Sequence, residues 1–174
     1  AGPADVAGGV ARAMLSSLTA LRSPRDLQVV VLCDREQEHA WSWVQWLPHA
    51  QPGVGPIALI GNTDLTRRER IREIGALLDI RMRIGKNRRL ESESQIVMVV
   101  DGARRYRMLP GMVSILEQGA EYGIHVIALD SDRSRLPEEA ATVVVADPGD
   151  ALLGRVESGE AYHSPVLLDQ VSVG

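Results

Sequence analysis

Ile96-Val97-Met98-Val99-Val100-Asp101-Gly102 is a run of five apolar residues closed by an aspartate. A buried strand that ends this way can hand its carboxylate to the magnesium ion of a bound nucleotide. The next position then matters, because a glutamate there could activate water, and this chain has Gly102. A second stretch belongs to the same chemistry. Nucleotide loops of the form GxxxxGK[ST] surround phosphates with backbone N–H groups, balance charge with the lysine and bind magnesium through the hydroxyl. The N-terminus, Ala1-Gly2-Pro3-Ala4-Asp5-Val6-Ala7-Gly8-Gly9, has that loop's length ahead of a helical pattern. Laid on the motif, Gly2 takes the first glycine, Ala7 the second, Gly8 the lysine and Gly9 the Ser/Thr position. The ammonium and the hydroxyl are missing, and Asp5 would set a negative charge beside phosphate. The same residues also read as a plain glycine-rich start before a helix.

Asp34, Asp101 and Asp130 each stand at or near the C-terminal end of an apolar run. That edge is where open α/β sheets bind ligands, although aspartate is equally common there as a cap or turn residue. His39, His49, His125 and His163 are scattered without ligand spacing, so structural or surface roles are expected. No G-x-S-x-G elbow occurs. Cys33 is the single cysteine, which excludes an internal disulfide, and its apolar neighbours predict a buried structural thiol. Arginines 67, 68, 70, 72, 81, 83, 88 and 89 are interleaved with acids at helical spacing and read as a solvated helix face. Arg104, Arg105 and Arg107 follow the Asp101 strand and could bind an anion or a neighbouring subunit. Of the tryptophans, Trp43 and Trp46 share a helix face and are expected to pack on the sheet, with Trp41 partly exposed. Stacking of single-stranded nucleic acid is the sharper alternative for that segment.

The elements that must hold these residues alternate. Helical periodicity covers 6–21, 36–46, 65–82 and 108–122, with Thr63 or Asp64 as a cap for the third. The continuous run at 27–33 predicts a strand buried on both faces, and 57–60, 96–100, 125–129 and 142–145 predict further strands. Residues 83–94 read as loop and 137–140 as a helical turn. Residues 152–168 resemble a hairpin turning at Ser158-Gly159. The expectation is one three-layer α/β domain over 1–174 with a mostly parallel sheet, its hairpin adding antiparallel edge strands. The chain has 174 residues, 45% of them apolar, and a net charge of −4, which gives no global attraction to DNA or acidic membranes. Aromatics make up 3% with no Phe, so the core must rest on aliphatic residues, and Lys86 is the only lysine. The Arg-, Ala- and Gly-rich composition suggests a GC-rich bacterium. Neither a transmembrane run nor a signal peptide is expected.

Taken together, several segments resemble the FtsK/SpoIIIE-type ATPases, and more closely the EccC-type motor of type VII secretion. They are Val10-Ala11-Arg12-Ala13-Met14-Leu15, Leu21-Arg22-Ser23-Pro24-Arg25-Asp26-Leu27, Trp43-Val44-Gln45-Trp46-Leu47-Pro48-His49, and Val99-Val100-Asp101-Gly102-Ala103. Tyr122-Gly123-Ile124-His125-Val126-Ile127-Ala128 and Leu168-Asp169-Gln170-Val171-Ser172 extend the likeness, and W-x-x-W-L-P-H is its most specific part. The resemblance implies a P-loop NTPase-like (RecA/FtsK-like) fold and a degenerate ATPase-like domain, excised from a multi-domain protein at the cytoplasmic face of the bacterial membrane. It implies that Gly2, Asp5, Ala7, Gly8, Gly9, Asp101 and Gly102 outline a degraded nucleotide site with no catalytic or metal-binding residue. Weak ATP and Mg2+ contact is left open, and no cofactor is expected. Its implied partners are the adjacent ATPase domains of the same chain and neighbouring subunits of a hexamer, met through Arg104, Arg105 and Arg107. Membrane contact by this segment is not expected, nor is DNA. The implied role is a non-hydrolysing module coupling active ATPase domains in protein secretion. The alternative is a nucleotide-binding ATPase domain of a DNA translocase.

Overall fold

A computed structural model of the 174-residue chain describes residues 1–51, 59–85 and 94–173. The valine- and isoleucine-rich runs form its centre. β1 (Leu27–Leu32), β2 (Ile60–Gly61), β3 (Gln95–Asp101) and β4 (Ile124–Leu129) align in parallel in the order β2-β1-β3-β4. Leu27 pairs with Gln95 and Ile96 with Ile124, so Asp101 arrives at the C-terminal edge beside Leu129. These strands are apolar at consecutive positions because each face is covered by a different set of helices.

On one face Val29, Val31, Val97 and Val99 pack with Ala11 and Leu15 of α1 (Ala4–Leu21), and with Trp41 at the end of α2 (Glu38–Trp41). On the other face Val30, Leu32, Met98 and Val100 pack under α3 (Asp64–Ile84), α4 (Ala103–Arg107) and α5 (Met112–Gln118). The α3 start follows its sequence closely. Thr63 Oγ1 accepts the Thr66 N–H at 3.2 Å, and Thr66 Oγ1 accepts the Thr63 N–H at 3.0 Å, a reciprocal capping box.

Three differences from the periodicity reading bear on the site. The helix expected over 36–46 is only the four-residue α2, continued by 3-10 turns at Ser42–Trp46 and Pro48–Ala50. The helix expected over 108–122 is broken at Pro110-Gly111, where proline lacks an N–H and Gly111 takes φ of 87°. The arginine face of α3 is not wholly solvated: Arg67, Arg70 and Arg81 are buried. Arg81 explains its burial by spanning carbonyls, donating to Tyr122 O at 2.8 Å and Ser94 O at 2.7 Å. Arg88 and Arg89 fall outside the described residues, as do most of the loop expected at 83–94 and the start of the strand expected at 57–60.

The C-terminal strands build a sheet of their own. β5 (Thr142–Ala146), β6 (Leu153–Ser158) and β7 (Ala161–Leu167) are antiparallel in that order. The 142–145 run therefore pairs with the hairpin, and the hairpin does not edge the parallel sheet. Val6, Ala146 and Leu168 form a small third cluster that fastens this sheet to α1. Among the described residues no helix is long and apolar enough to cross a membrane.

Candidate functional site

The C-terminal edge of the parallel sheet carries Asp34, Asp101 and Asp130, as the sequence places them. Each carboxylate is engaged by a donor from its own chain. Asp101 Oδ2 accepts the Trp41 Nε1–H at 2.8 Å, from an indole with no solvent exposure. The buried Arg12 guanidinium lies within electrostatic reach of the same carboxylate. Burial pushes the Asp101 carboxyl above its usual range, while the Trp41 hydrogen bond and Arg12 pull it back. Arg12 is itself pulled down by burial, an effect Asp101 opposes.

Asp34 accepts from buried Arg67 at 2.9 Å and from exposed Arg105. Asp130 accepts the backbone N–H groups of Arg104 at 3.1 Å and Ser131 at 2.9 Å, together with the Arg135 guanidinium. Burial would raise the Asp130 carboxyl, but these donors hold it below the ordinary carboxylate range.

The glycine-rich N-terminus is not a loop. α1 begins at Ala4, directly after Pro3, so Asp5, Ala7, Gly8 and Gly9 are helical. Asp5 sits in the first turn, where a negative charge favours the helix dipole. Gly8 and Gly9 are buried by the chain itself. A Cβ on Gly8 would meet the Arg12 guanidinium at 2.9 Å, and one on Gly9 would meet Gln170 at 3.0 Å. The C-terminal segment closes over them: Val171 N–H donates to Gly9 O at 3.0 Å, and Arg12 Nε donates to Val171 O at 2.7 Å. Gly102 caps α4 at φ of 102°, a conformation that disfavours any side chain, so a glutamate would be strained there.

These residues do not fit a magnesium–nucleotide pair. The lysine and hydroxyl positions are packed glycines. One oxygen of Asp101 is already occupied by an indole, and the neighbouring fixed cation is Arg12, which repels a divalent ion. Arg12, Trp41 and Gln170 were not identifiable as site residues from the sequence. They reach the site over long separations, 159 residues from Arg12 to Val171 and 60 from Trp41 to Asp101.

The tryptophan expectation holds for Trp43 and is reversed for the other two. Trp41 is fully buried and Trp46 is 77% exposed, because the 3-10 turns rotate the later residues off the helical phase. Trp43 packs partly against the α1-side core. Of the three arginines proposed for subunit contacts, Arg105 pairs with Asp34 and Arg107 with Glu139 at 2.5 Å. The Arg104 side chain is exposed. His49 is structural, its Nε2 paired with Arg22 O at 2.8 Å.

Cys33 is fully buried, and burial, with Asp101 next, pushes its thiol up to about 12. Thiolate is the reactive form, so the native chain at pH 8 should react with a disulfide reagent at least ~100-fold slower than the urea-unfolded chain. Comparable rates in both states would contradict the burial.

No family model matches the chain. Part of it is similar to curated relatives. It is 40% identical over 42 residues to the ESX secretion system protein EccC of Thermomonospora curvata, covering 24% of this chain and 3% of that one. It is 37% identical over 76 residues to the ESX-1 secretion system protein EccCa1 of Mycobacterium tuberculosis, covering 41% and 10%. It is 36% identical over 61 residues to the ESX-4 secretion system protein EccC4 of the same species, covering 32% and 5%. The matches thus span a small fraction of each relative's length, between 3% and 10%.

Proposed function

We propose that this chain is a non-hydrolysing ATPase-like module of a membrane-anchored, FtsK/SpoIIIE-like translocase of the type VII secretion kind. In this reading residues 1–174 are one domain of a longer protein at the cytoplasmic face of the membrane. The domain couples or positions active ATPase domains of the same chain and packs against neighbouring subunits of a hexamer. The partial similarity to EccC proteins supports the secretion context. One observation carries the loss of nucleotide chemistry. The groups that would handle magnesium and phosphate are spent on internal contacts: Asp101 on Trp41, and the Gly8-Gly9 turn on Arg12 and Gln170.

A sheet edge whose three carboxylates are paired within the chain suits a domain that transmits position, because they do not have to reorganise around a ligand. Arg104 is the arginine best placed to meet a neighbouring subunit, since its backbone is fixed by Asp130 while its side chain is exposed.

Isothermal titration of the chain with ATP and Mg2+ tests the reading. No saturable heat is expected up to millimolar nucleotide. Micromolar binding that disappears in Asp101→Ala, with that variant still folded by circular dichroism, would overturn it in favour of a nucleotide-binding domain.

A further inference from the structure

Gly8 and Gly9 stand side by side in the second turn of α1, although glycine is among the poorest helix formers. Both are buried. Residues 168–173, which follow β7 without regular secondary structure, cross the helix at this point. Leu168 anchors this strap in the small cluster with Val6 and Ala146. Beyond it the strap lies on the surface, with Asp169, Val171, Ser172 and Val173 exposed. Hydrogen bonds hold it there. Gln170 Nε2 donates to Ala151 O at 2.5 Å, Val171 N–H to Gly9 O at 3.0 Å, and Arg12 Nε to Val171 O at 2.7 Å. Each glycine makes room for one of these contacts. A Cβ on Gly9 would lie 3.0 Å from Gln170 Oε1, and one on Gly8 would lie 2.9 Å from the Arg12 guanidinium folded back along the helix. An exposed segment with so little buried apolar contact can open while the core stays folded.

Arg12 ties the strap to the edge of the parallel sheet. It is 5% exposed, and a buried guanidinium is costly unless an opposite charge compensates it. Asp101 is the carboxylate within its electrostatic reach, and the Trp41 indole fixes that carboxylate at 2.8 Å. If the Asp101 charge is lost or drawn elsewhere, Arg12 gains by turning towards water. The Val171 carbonyl then loses its donor, and the strap loses one of the bonds that close it.

We propose that residues 168–173 form a latch controlled from the sheet edge. While Asp101 compensates Arg12, Arg12 clasps Val171 and the strap lies closed on α1. When another cation draws the Asp101 charge away, the clasp is lost and the strap lifts from Gly8 and Gly9. A change at the end of β3 is thereby passed through Arg12 to the segment that follows β7. The latch has two discrete positions, and the edge biases the balance between them. It goes beyond the coupling role proposed above and depends neither on nucleotide chemistry nor on the secretion context.

Amide hydrogen exchange in the absence of nucleotide provides the test, with Val171 reporting the strap and Val99 in β3 reporting global opening. Asp101→Asn keeps an acceptor for Trp41 and removes the charge. It should speed exchange at Val171 by a factor at least ~10 times that at Val99. Arg12→Gln should do the same, and adding Asp101→Asn to it should bring no further change at Val171 relative to Val99. Equal factors at the two amides in Asp101→Asn would overturn the proposal, as would a further acceleration at Val171 in the double variant. Gly9→Ala leaves Asp101 and Arg12 in place and serves if the charge variants do not fold. Alanine ordinarily strengthens a helix interior, yet its Cβ would meet Gln170, so Val171 should exchange faster while Val99 does not. Val171 protection kept or increased in Gly9→Ala would also overturn the latch.

Discussion

Trp41→Ala should be among the most damaging single substitutions in this chain, with an expected loss of about 3–5 kcal/mol of unfolding free energy. The side chain has no solvent exposure and packs with Val29, Val31, Val97 and Val99 of the sheet and Ala11 and Leu15 of α1. Its truncation removes that apolar contact and leaves a cavity in a place held by secondary structure on two sides. It also strips Asp101 Oδ2 of its indole donor at 2.8 Å. Trp41→Phe separates the two effects: it keeps most of the ring contact and removes only the N–H. That variant should lose about 1–3 kcal/mol, the cost of leaving a buried acceptor without its partner. Because an unpartnered buried carboxylate is driven further towards its neutral form, the Trp41→Phe deficit should shrink as pH falls towards the carboxylate range. Urea unfolding of the three chains at two pH values measures all of this. A loss below about 1 kcal/mol for Trp41→Ala would mean that the indole does not hold the sheet against α1.

Which parts of this site were legible in the sequence follows from the range of the forces involved. Three of the four parallel strands announced themselves, since a strand buried on both faces must be apolar at consecutive positions, and Val29–Leu32 and Ile96–Val100 are, whereas the run expected at 57–60 meets β2 only at Ile60 among the described residues. The Thr63 cap was legible for the same reason, being a contact between residues three apart. The run at 142–145 that became β5 was legible as a strand but its neighbour was not, because its pairing is decided by the hairpin that follows it. The tryptophan faces were misread because a helical phase was extended across Ser42–Trp46, where 3-10 turns replace it. Burial of Arg67 and Arg81 was invisible because an arginine on a helix shows the same local spacing whether its partner is water or a distant carbonyl. The glycine-rich start matched a loop motif by length, yet Pro3 followed by a helix-tolerant run lets α1 begin at Ala4. Arg12 meets Gly8 from one turn along the same helix, and only the long-range approach of Gln170 reveals what Gly9 accommodates.

Arg67→Ala is expected to cost about 3 kcal/mol, at the lower end of the range for breaking a buried ion pair by removing one partner. Arg67 is 6% exposed and makes three hydrogen bonds through its guanidinium. Nη1 donates to Cys33 O at 2.7 Å and to Asp34 Oδ1 at 2.9 Å, Nη2 donates to Asp64 at 2.5 Å, and the group lies 5.0 Å from the Tyr106 ring centroid. These contacts join the end of β1 to the first turn of α3 and to α4. The Asp64 contact contributes little, since that carboxylate is 90% exposed. The Cys33 carbonyl and the Asp34 carboxylate, 26% exposed, carry the larger share. Asp34 keeps Arg105 in the variant, which is why the loss stays below the upper end of that range. Arg67→Lys tests whether charge or shape matters: an ammonium can satisfy one of these acceptors but cannot span them as the planar fork does, so about half of the loss should remain. Gly61 sharpens the argument, because a Cβ there would lie 2.9 Å from Arg67 Cα, so helix and sheet are already at closest approach and cannot slide inward to fill the gap. If Arg67→Ala proves neutral, the sheet edge is held by apolar packing alone, and the internal satisfaction of its charges is incidental to stability.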